Sequence, residues 1–542
     1  MHPYVVEDFT AEERSVLARH VTNAEGPVFA LTNLPEVVKG ALFARYSRSA
    51  KSLRRLLLDE FAEDLAPVDV PSESAWGDAE RDAQTRAGRL YERVFVEYGD
   101  DSVAQLGGAH IAVEQASNLL TKVLEWGRLA SYLEQSTRYI PYDDKPGGRY
   151  RYFRDPDIMA SRHAGAYEAQ LDAVFDTYSA LLGSVREWAL RRFPQTSDTS
   201  DFVYRNTITA KVCDLLRGLL PAATVSNVGI FASGQAYEHL LLRLRSHELA
   251  EARGVGDAML GELRHVIPSF LTRVDRPDRG GVWSEYLRAT REASRAVTEE
   301  LLADTPSDPA PAVTLTAFSA DADIELVAGI LYPHSHLPES QLRRIVEDMA
   351  VEERLRVVRA YAGERTNRRH KPGRALERIW YRFDICSDYG SFRDLQRHRM
   401  LTIEWQELSC RHGYDTPEDL IDAGVEAQWG EALERQAGLW ERLLPDLPRQ
   451  AQYAVGLAYR MRYSMQLNAR AAMQMLELRT TPQGHPSYRR ICQQMHRLIA
   501  EEAGHPVVAE LMRFVDHGAS ELERLEAERA GEARRAARGA GL

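Results

Sequence analysis

A short motif that occurs once in each half of the chain constrains the fold more than any other feature. Residues 134–138 read Glu-Gln-Ser-Thr-Arg and residues 407–411 read Glu-Leu-Ser-Cys-Arg, so three polar side chains keep the same spacing. A basic residue or cluster precedes each copy by a similar interval, Arg128 in the first half and residues 397–399 in the second. Internal similarity of this kind indicates duplication. A chain of 542 residues is also long enough for at least two domains.

The best boundary between the two halves is a proline-rich segment. Residues 304–311 contain three prolines, which cannot continue a helix. We therefore predict an N-terminal domain over residues 1–303, a linker over 304–311 and a C-terminal domain over 312–519. The remaining residues, 520–542, are mostly Glu, Arg, Ala and Gly, which predicts a charged tail that is either a fraying helix or disordered.

Hydrophobic periodicity predicts many helices and few strands. The predicted helices are residues 36–62, 109–125, 164–192, 237–260, 283–302, 324–332, 342–362, 432–443 and 470–478. The predicted strands are residues 225–231, 313–318 and 454–463. This pattern predicts an α+β protein with a high proportion of helix.

Composition and charge exclude several classes of function. The formal net charge of -12 argues against a surface that coats nucleic acid, although local arginine clusters can still bind small anions. The four cysteines lack the paired spacing of a metal site, so we predict free thiols in a reducing compartment. The first ten residues show no leader pattern, and polar residues and a proline interrupt the most apolar stretch, residues 215–234. We therefore expect a cytoplasmic protein without a membrane partner.

The repeated motif suits recognition of a sugar phosphate. In an extended segment alternate side chains lie on one face, which would place Glu134, Ser136 and Arg138 together. The guanidinium and the hydroxyl would bind phosphate oxygens, and the carboxylate would bind a ribose hydroxyl. The alternative is an exposed edge strand with a surface ion pair, which stabilises a protein by only ~0–1 kcal/mol.

Two further groups of basic residues have both a functional and a structural interpretation. The Arg-His-Arg cluster at 397–399 would clamp a diphosphate, or its cations would simply complement the C-terminus of a helix. Asn468 and Arg479 have a spacing that places them on one helical face, whereas Arg470 would point away on the same straight helix. The alternative here is an amphipathic core helix with solvated arginines.

In combination these motifs resemble those of the flavin-dependent thymidylate synthases. That family's signature is Arg-His-Arg, seven residues, then Ser, within a run that ends Glu-x-Ser-x-Arg-Tyr. The second half has the triplet but nine residues before Ser409, and the first half has the seven-residue interval but Trp-Gly-Arg128 instead of the triplet. Residues 99–103 and, more loosely, 370–377 resemble the family's Gly-His-x-Ser/Thr segment. The resemblance spans roughly residues 26–265 and 312–515.

The downstream elements of the family are divided between the two halves. Residues 216–221 resemble its Arg-x-x-Leu-Pro element, whose arginine, here Arg217, contacts the uracil ring in that family. The second half has Gln452 at this place. Asn468-Ala-Arg470 with Arg479 resembles the helix that contacts flavin and nucleotide, where the first half has Ser-Gly-Gln at 233–235. Each half therefore lacks a different element of the family's site.

The resemblance implies a fold, a reaction and a role for each residue. It implies two tandem domains, each with a mixed or antiparallel sheet and long helices. The implied reaction is reductive methylation of dUMP to dTMP, with carbon from methylene-tetrahydrofolate and hydride from FAD that NADPH reduces. Arg217 would be catalytic, because it favours charge developing on the uracil ring. The implied substrate-binding residues are Glu134, Ser136, Arg138, Arg479, Glu407, Ser409 and Arg411. The implied cofactor-binding residues are Arg397, His398, Arg399, Glu377, Asn468, Arg470 and Arg128, and no metal is implied.

The resemblance also implies an assembly. Active sites of that family form at subunit interfaces of a homotetramer, so a fused chain would dimerise into a pseudo-tetramer with one well-equipped and one degenerate kind of site. Two alternatives stay open. One is a paralogue that acts on another pyrimidine nucleotide or transfers another one-carbon group. The other is a scaffold that binds flavin or nucleotide without turnover.

Overall fold

The computed structural model describes residues 7–46, 49, 51–61, 105–197, 199–519, 522, 524, 525 and 528–533. The predicted motif at 99–103 and most of the predicted tail lie outside these residues. The chain divides into two compact units. The first contains residues 1–114, 129–134 and 227–305, and the second contains residues 115–128, 135–226 and 306–542. Because these units describe packing rather than the repeat, the predicted domain limits stay a prediction.

The described chain contains many helices, often several in succession, and seven short strands among them. The helices are α1 (Ala11–His20), α2 (Glu36–Tyr46), α3 (Leu53–Phe61), α4 (Asn118–Leu124), α5 (Pro156–Ala160), α6 (Ala164–Arg192), α7 (Asp201–Leu216), α8 (Gly234–Arg245), α9 (Ala250–Val266), α10 (Val282–Leu302), α11 (Ala322–Leu331), α12 (Glu339–Glu347), α13 (Val351–Ala362), α14 (Tyr389–Gln396), α15 (Glu418–Asp422), α16 (Glu426–Leu443), α17 (Ala469–Arg479), α18 (Pro486–Glu501) and α19 (Pro506–Leu511). The strands are β1 (Gly108–Ser117), β2 (Ala130–Glu134), β3 (Val225–Ser233), β4 (Val313–Phe318), β5 (Trp380–Asp388), β6 (Thr402–Trp405) and β7 (Arg460–Asn468).

The topology of the first half recurs in the second. In the first half, β1 leads into α4, β2 follows, and β3 leads into α8. In the second half, β5 leads into α14, β6 follows, and β7 leads into α17. The strand order is β1-β3-β2 in one sheet and β4-β5-β7-β6 in the other, so the edge strand β4 has no counterpart among the described residues of the first half. The pairs β2–β3, β4–β5, β5–β7 and β6–β7 are antiparallel. This architecture confirms the predicted α+β class with two related regions.

Polar caps set the four repeated strand-to-helix junctions. The side chains of Ser117, Ser233, Asp388 and Asn468 each accept a hydrogen bond from a backbone N–H in the first turn of the following helix. Such a cap satisfies a donor that the helix leaves unpaired, and so it ends the strand at a defined residue.

Several predicted elements differ from the structure. The predicted helix 109–125 is a strand followed by a short helix, because pairing in the sheet overrides the local pattern and Ser117 starts α4 only afterwards. The predicted helices 36–62, 237–260 and 342–362 are each two helices separated by a break. The predicted strand 454–463 begins later, at Arg460, after a 3-10 turn over residues 450–454. The strand 313–318 and the helix 164–192 agree with their predictions.

Equivalent segments of the two halves pair with each other inside the second unit. The backbone N–H of Ala222 donates to Val455 O at 2.7 Å, and the N–H of Leu457 donates to Leu220 O at 2.9 Å. A Cβ on Gly456 would lie 2.1 Å from Gln436 Oε1 and 3.1 Å from Gly218 O, so a larger residue would force the Gln436 side chain to move. The pairing holds residue Arg217, which follows α7, against the second half of the chain.

Among the described residues, no helix has both the length and the apolar composition to cross a bilayer.

Candidate active site

Arg217 lies in the 3-10 turn after α7 and is only 5% exposed. Its Nη1 donates to Asp394 Oδ2 at 3.3 Å. Its Nη2 is also buried and has no hydrogen-bond acceptor among the described residues. A buried donor without an acceptor costs about 1–3 kcal/mol, so an acceptor from outside the chain would stabilise this side chain.

Asp394 on α14 joins Arg217 to residues from the second half. Its Oδ1 accepts from Arg479 Nη1 at 3.4 Å, at the end of α17. Arg479 Nε in turn donates to His398 Nε2 at 2.9 Å. The predicted catalytic residue, one predicted substrate residue and one predicted flavin residue therefore form a single cluster. The carboxylate that connects them was not predicted.

Burial and the neighbouring charges set the protonation states in this cluster. Burial acts to raise the pKa of the Asp394 carboxyl, but Arg217 and Arg479 hold that pKa well below its usual range. Burial and the charge of Arg479 both lower the pKa of His398. At neutral pH Asp394 is therefore a carboxylate and His398 is a neutral acceptor for Arg479.

Arg138 belongs to a second buried network. Its Nε and Nη2 each donate to the carboxylate of Asp214 at 2.6 Å, and its Nη1 donates to Tyr488 Oη at 2.9 Å. Burial raises the pKa of Asp214, but Arg138 outweighs it and lowers that pKa to about 2. The predicted phosphate ligand Arg138 is thus already neutralised by a carboxylate of the same chain.

Neither copy of the repeated motif lies in a strand along its whole length. β2 ends at Glu134 in the first unit, whereas Ser136 and Arg138 belong to the second unit, and residues 137–139 form a turn. There the backbone N–H of Arg138 donates to Ser136 Oγ at 3.2 Å. The second copy likewise follows a strand, since β6 ends at Trp405. The strands therefore end before the motif does, and the predicted shared binding face stays a prediction.

The second copy of the motif makes ordinary surface contacts. Glu407 binds Arg449, and the side chains of this ion pair are 48% and 24% exposed. Ser409 is partly exposed, and the Arg411 guanidinium lies 5.7 Å from the ring of Trp440.

The remaining predicted flavin residues are dispersed, and several stabilise the fold. The side chain of Asn468 caps α17, and Arg470 lies inside that helix. Arg470 Nε donates to Pro372 O at 3.1 Å, and its Nη1 lies 3.4 Å from Glu377 Oε1. The other contacts are Arg128 Nη2 to Thr402 Oγ1 at 3.2 Å and Arg397 Nε to Glu125 Oε2 at 3.9 Å, and Arg399 is partly exposed.

A cavity of about 640 Å³ opens beside Arg217 in the second unit. A volume of this size suits a nucleotide, since small-molecule sites commonly have about 300–1,000 Å³. None of the predicted flavin residues lines it. Its lining includes acidic, basic and neutral side chains: Asp214, Asp388, Asp415, Glu418, Asp419, Lys211, Arg217, Arg489, Arg490, His485, Ser487 and Trp429.

Two of the cavity's polar walls are defined by local contacts. Asp388 accepts from Ser391 N at 2.8 Å and from Ser391 Oγ at 2.6 Å, and Ser487 Oγ also donates to it. His485 caps α18 by accepting from Ser487 N at 3.2 Å. Burial and the nearby Arg217 lower the pKa of His485, so the ring is a neutral acceptor at neutral pH.

The sequence pattern of the family described as thymidylate synthase complementing protein matches residues 54–269 and 314–505. These two regions cover well over half of the chain. The chain belongs to this family. Because the pattern matches twice, the chain carries two tandem copies of the family's domain, in agreement with the repeated topology.

Relatives match this chain over nearly their whole length. A UPF0159 protein of Chlamydia pneumoniae is 41% identical over 96% of this chain and 98% of its own. UPF0159 proteins of Chlamydia muridarum and Thermoplasma acidophilum are 39% and 29% identical, over 96% and 90% of this chain and 98% and 97% of their own. Their names state no activity. Family membership therefore supports a thymidylate synthase-like function without specifying the reaction.

A solved structure is similar to part of the chain. It is a UMP/dUMP methylase, PolB from Streptomyces cacaoi, bound with 5-Br dUMP. The match covers 37% of this chain and 94% of that one at 19% identity, with a TM-score of 0.29. This score is too low to support a conclusion about fold or ligand.

The place equivalent to Arg217 in the second copy of the family domain is structural. Gln452 Oε1 accepts from Leu408 N at 3.1 Å, and its Nε2 donates to Arg449 O at 3.1 Å. Both polar ends of the amide are therefore used within the fold. An arginine stands at this place in the first copy only.

Sequence reasoning missed the two carboxylates that organise the arginines. Asp214 precedes Arg217 by one helical turn, and Asp394 precedes Arg397 by the same interval. An acidic residue one turn before an arginine was the available signal, but the partner of each carboxylate lies far away in sequence, Arg138 for Asp214 and Arg217, in the other half, for Asp394. Distance along the sequence hides such a pair.

The chemistry of the cysteines differs from that of a nucleophile. All four are free thiols. Burial raises the pKa of Cys213, Cys410 and Cys492 to about 12 in each case. These residues are therefore protonated at neutral pH and poor nucleophiles. Among the described residues, no group of His, Cys, Asp or Glu side chains could hold a metal ion.

Lys122 is a buried cation whose charge the fold tolerates poorly. It is 4% exposed, and its Nζ lies 5.8 Å from the ring of Tyr389 and 5.6 Å from that of Trp405. Burial lowers its pKa to about 8, and the charge of Glu407 only partly opposes this. At pH 7 the folded state therefore bears the cost of a desolvated ammonium.

We expect Lys122→Met to raise the free energy of unfolding at pH 7 by about 3 kcal/mol, because a shift of one pKa unit corresponds to about 1.4 kcal/mol. The gain should shrink between pH 8 and about 10.5. In this range Lys122 has lost its proton in the folded wild type but still holds it in the unfolded state, so wild-type stability rises with pH. Urea unfolding across this range measures it. The exposed Lys145→Met is the control. Equal stabilities of wild type and Lys122→Met at pH 7 would contradict the expectation.

Proposed function

We propose that this chain is a thymidylate synthase-like enzyme that methylates C5 of dUMP to give dTMP. The observation that carries the proposal is Arg217, a buried guanidinium beside a nucleotide-sized cavity, with one nitrogen that lacks an acceptor. Arg217 also occupies the place of the arginine that contacts the uracil ring in the flavin-dependent thymidylate synthases. In a site with little water, such a donor strongly favours negative charge that develops on a ring carbonyl.

The cavity offers complementary groups for the rest of a nucleotide. Arg490 is exposed and has no polar partner among the described residues, which makes its guanidinium available to a phosphate. Trp429 offers an apolar wall, and the Asp388 carboxylate can accept a hydrogen bond from a ribose hydroxyl. The substrate would therefore lie across both polar and apolar surfaces of one cavity.

FAD would supply the hydride, but the predicted flavin residues do not form a flavin site within the cavity. They do not line it, and Asn468 and Arg470 are already bound within the fold. FAD, NADPH and methylene-tetrahydrofolate therefore enter the proposal from family membership, and no step is assigned to them here. Since sites of the family lie between subunits, we further propose a homodimer, located in the cytoplasm.

Release of tritium from dUMP labelled at C5 tests the reaction, because methylation replaces the C5 hydrogen. We expect the purified protein, given FAD, NADPH and methylene-tetrahydrofolate, to release tritium, and to show the absorbance of bound FAD as isolated. Release from 5-tritiated UMP but not from dUMP would support a paralogue with another substrate. Nucleotide binding without any release would support a non-catalytic scaffold and contradict the proposal.

A further inference from the structure

Asp394 connects arginines from the two halves by unusually loose contacts. Its distances to Arg217 Nη1 and Arg479 Nη1 are 3.3 and 3.4 Å. Charge-assisted hydrogen bonds are typically about 2.7–2.9 Å, and the bonds from Arg138 to Asp214 in the same unit are 2.6 Å. Asp394 therefore holds the two arginines without engaging them fully.

Charged side chains from both halves surround Asp394. Besides Arg217 and Arg479, the charges of Arg397 and Arg138 also act on this carboxylate. The other nearby carboxylates are Asp214, which neutralises Arg138, Glu125, which lies 3.9 Å from Arg397, and Asp388, which lines the same cavity as Arg217. Four arginines therefore face four carboxylates, and the neutral His398 adds no charge. Without the charge of Asp394 the cluster would be positive, and a positive cluster attracts an anion.

We propose that Asp394 is a positioning residue that orients Arg217 and Arg479 and also competes with an anionic ligand for Arg217. This inference rests on the proposed function for the identity of the ligand, a pyrimidine nucleotide. In the free protein Asp394 is the counter-ion of the two arginines. When a nucleotide binds in the cavity, the ring carbonyl on which negative charge develops shares Arg217 with Asp394, while Arg479, which does not line the cavity, stays with the carboxylate. The carboxylate keeps the Arg217 guanidinium in its orientation toward the ligand.

The two roles of Asp394 make opposite predictions for affinity and turnover. Asp394→Asn keeps the shape of the side chain but removes its charge. The potential at the arginines rises, so an anionic ligand should bind more tightly, by on the order of tenfold for one partly buried charge. Arg217 loses its orienting partner, so turnover should fall by about tenfold or more. A residue with only a structural role would weaken binding and turnover together.

Calorimetric titration with dUMP and with inorganic phosphate, together with tritium release, tests the proposal. We expect Asp394→Asn to have a lower Kd for both ligands and a lower kcat. Asp394→Glu, which keeps the charge but displaces it, should stay within about twofold of the wild-type Kd and lose turnover. The control is Asp446→Asn, which removes a carboxylate from an exposed pair with Arg162 and should change neither quantity.

Weaker binding of phosphate by Asp394→Asn, or an unchanged Kd for both ligands, would overturn the inference. Should Asp394→Asn fail to fold, a parallel loss of affinity and turnover in Asp394→Glu would do the same. The proposed function fails separately. If wild-type protein releases no tritium but Asp394→Asn binds inorganic phosphate more tightly than wild type, the competition by Asp394 stands and only the reaction is wrong.

Discussion

We expect Arg217→Gln to lower turnover of dUMP by about a hundredfold to a thousandfold, the usual effect of removing one donor that stabilises charge in a transition state. Glutamine keeps a hydrogen-bond donor but not the positive charge. Arg217 is buried and its Nη2 has no acceptor among the described residues, so a carbonyl of the substrate would meet a donor that nothing else has satisfied. Tritium release at saturating dUMP measures the effect.

The control for this change is Arg205→Gln. Arg205 lies on α7, the helix that precedes Arg217, but it is exposed. We expect it to keep wild-type turnover. FAD content and melting temperature of both variants should also be measured, because Arg217 is held by Asp394. If Arg217→Gln lost flavin and turnover to the same extent, Arg217 would have a structural role and the catalytic assignment would be wrong.

The largest expected effect on stability is that of Glu477→Gln. The Glu477 carboxylate accepts from Arg365 Nη1 and Nη2 at 2.7 Å each, and the two side chains are 1% and 3% exposed. Removing one partner leaves the other charge buried and uncompensated, which typically costs about 3–5 kcal/mol. Urea unfolding of the full chain, followed by circular dichroism, measures this loss.

An exposed pair that is also bidentate provides the comparison. Arg276 binds Asp278 through Nε and Nη2, at 3.1 and 2.8 Å, but these side chains are 55% and 59% exposed. We expect Asp278→Asn to change stability much less than Glu477→Gln does, because water screens an exposed pair. Equal effects of the two substitutions would show that burial does not set the cost. Glu477 lies on α17 two residues before Arg479, so its loss should also weaken nucleotide binding.

Much of the fold could be predicted from local patterns. The helix at 164–192 and the strand at 313–318 follow from runs of apolar residues with one clear period. The run at 109–125 was wrongly predicted to be one helix, because the spacing of apolar residues is ambiguous where a short strand leads directly into a helix. Only pairing with β3 decides that its first part is a strand. The break between α12 and α13, at residues 348–350, contains neither glycine nor proline, so no local helix breaker marks it in the sequence.

The candidate site was predictable in its residue types and less so in its geometry. Arg217, Arg479 and His398 were identified by resemblance, and they do lie in one cluster. Arg138 was also identified, but Asp214 already binds it. The roles of these residues as ligands of substrate or flavin stay predictions.

The repeated Glu-x-Ser-x-Arg motif, together with the basic residues before each copy, predicted from sequence that the chain is a duplication, because matched spacing in two halves requires no knowledge of contacts. The tertiary structure decided where the copies lie. The strands β2 and β6 end at Glu134 and Trp405, before the end of each motif. Arg217 and Asp394 are 177 positions apart in sequence and come into contact where equivalent segments of the two halves pair. The contact between Asp394 and Arg217 could therefore be recognised only in the folded chain.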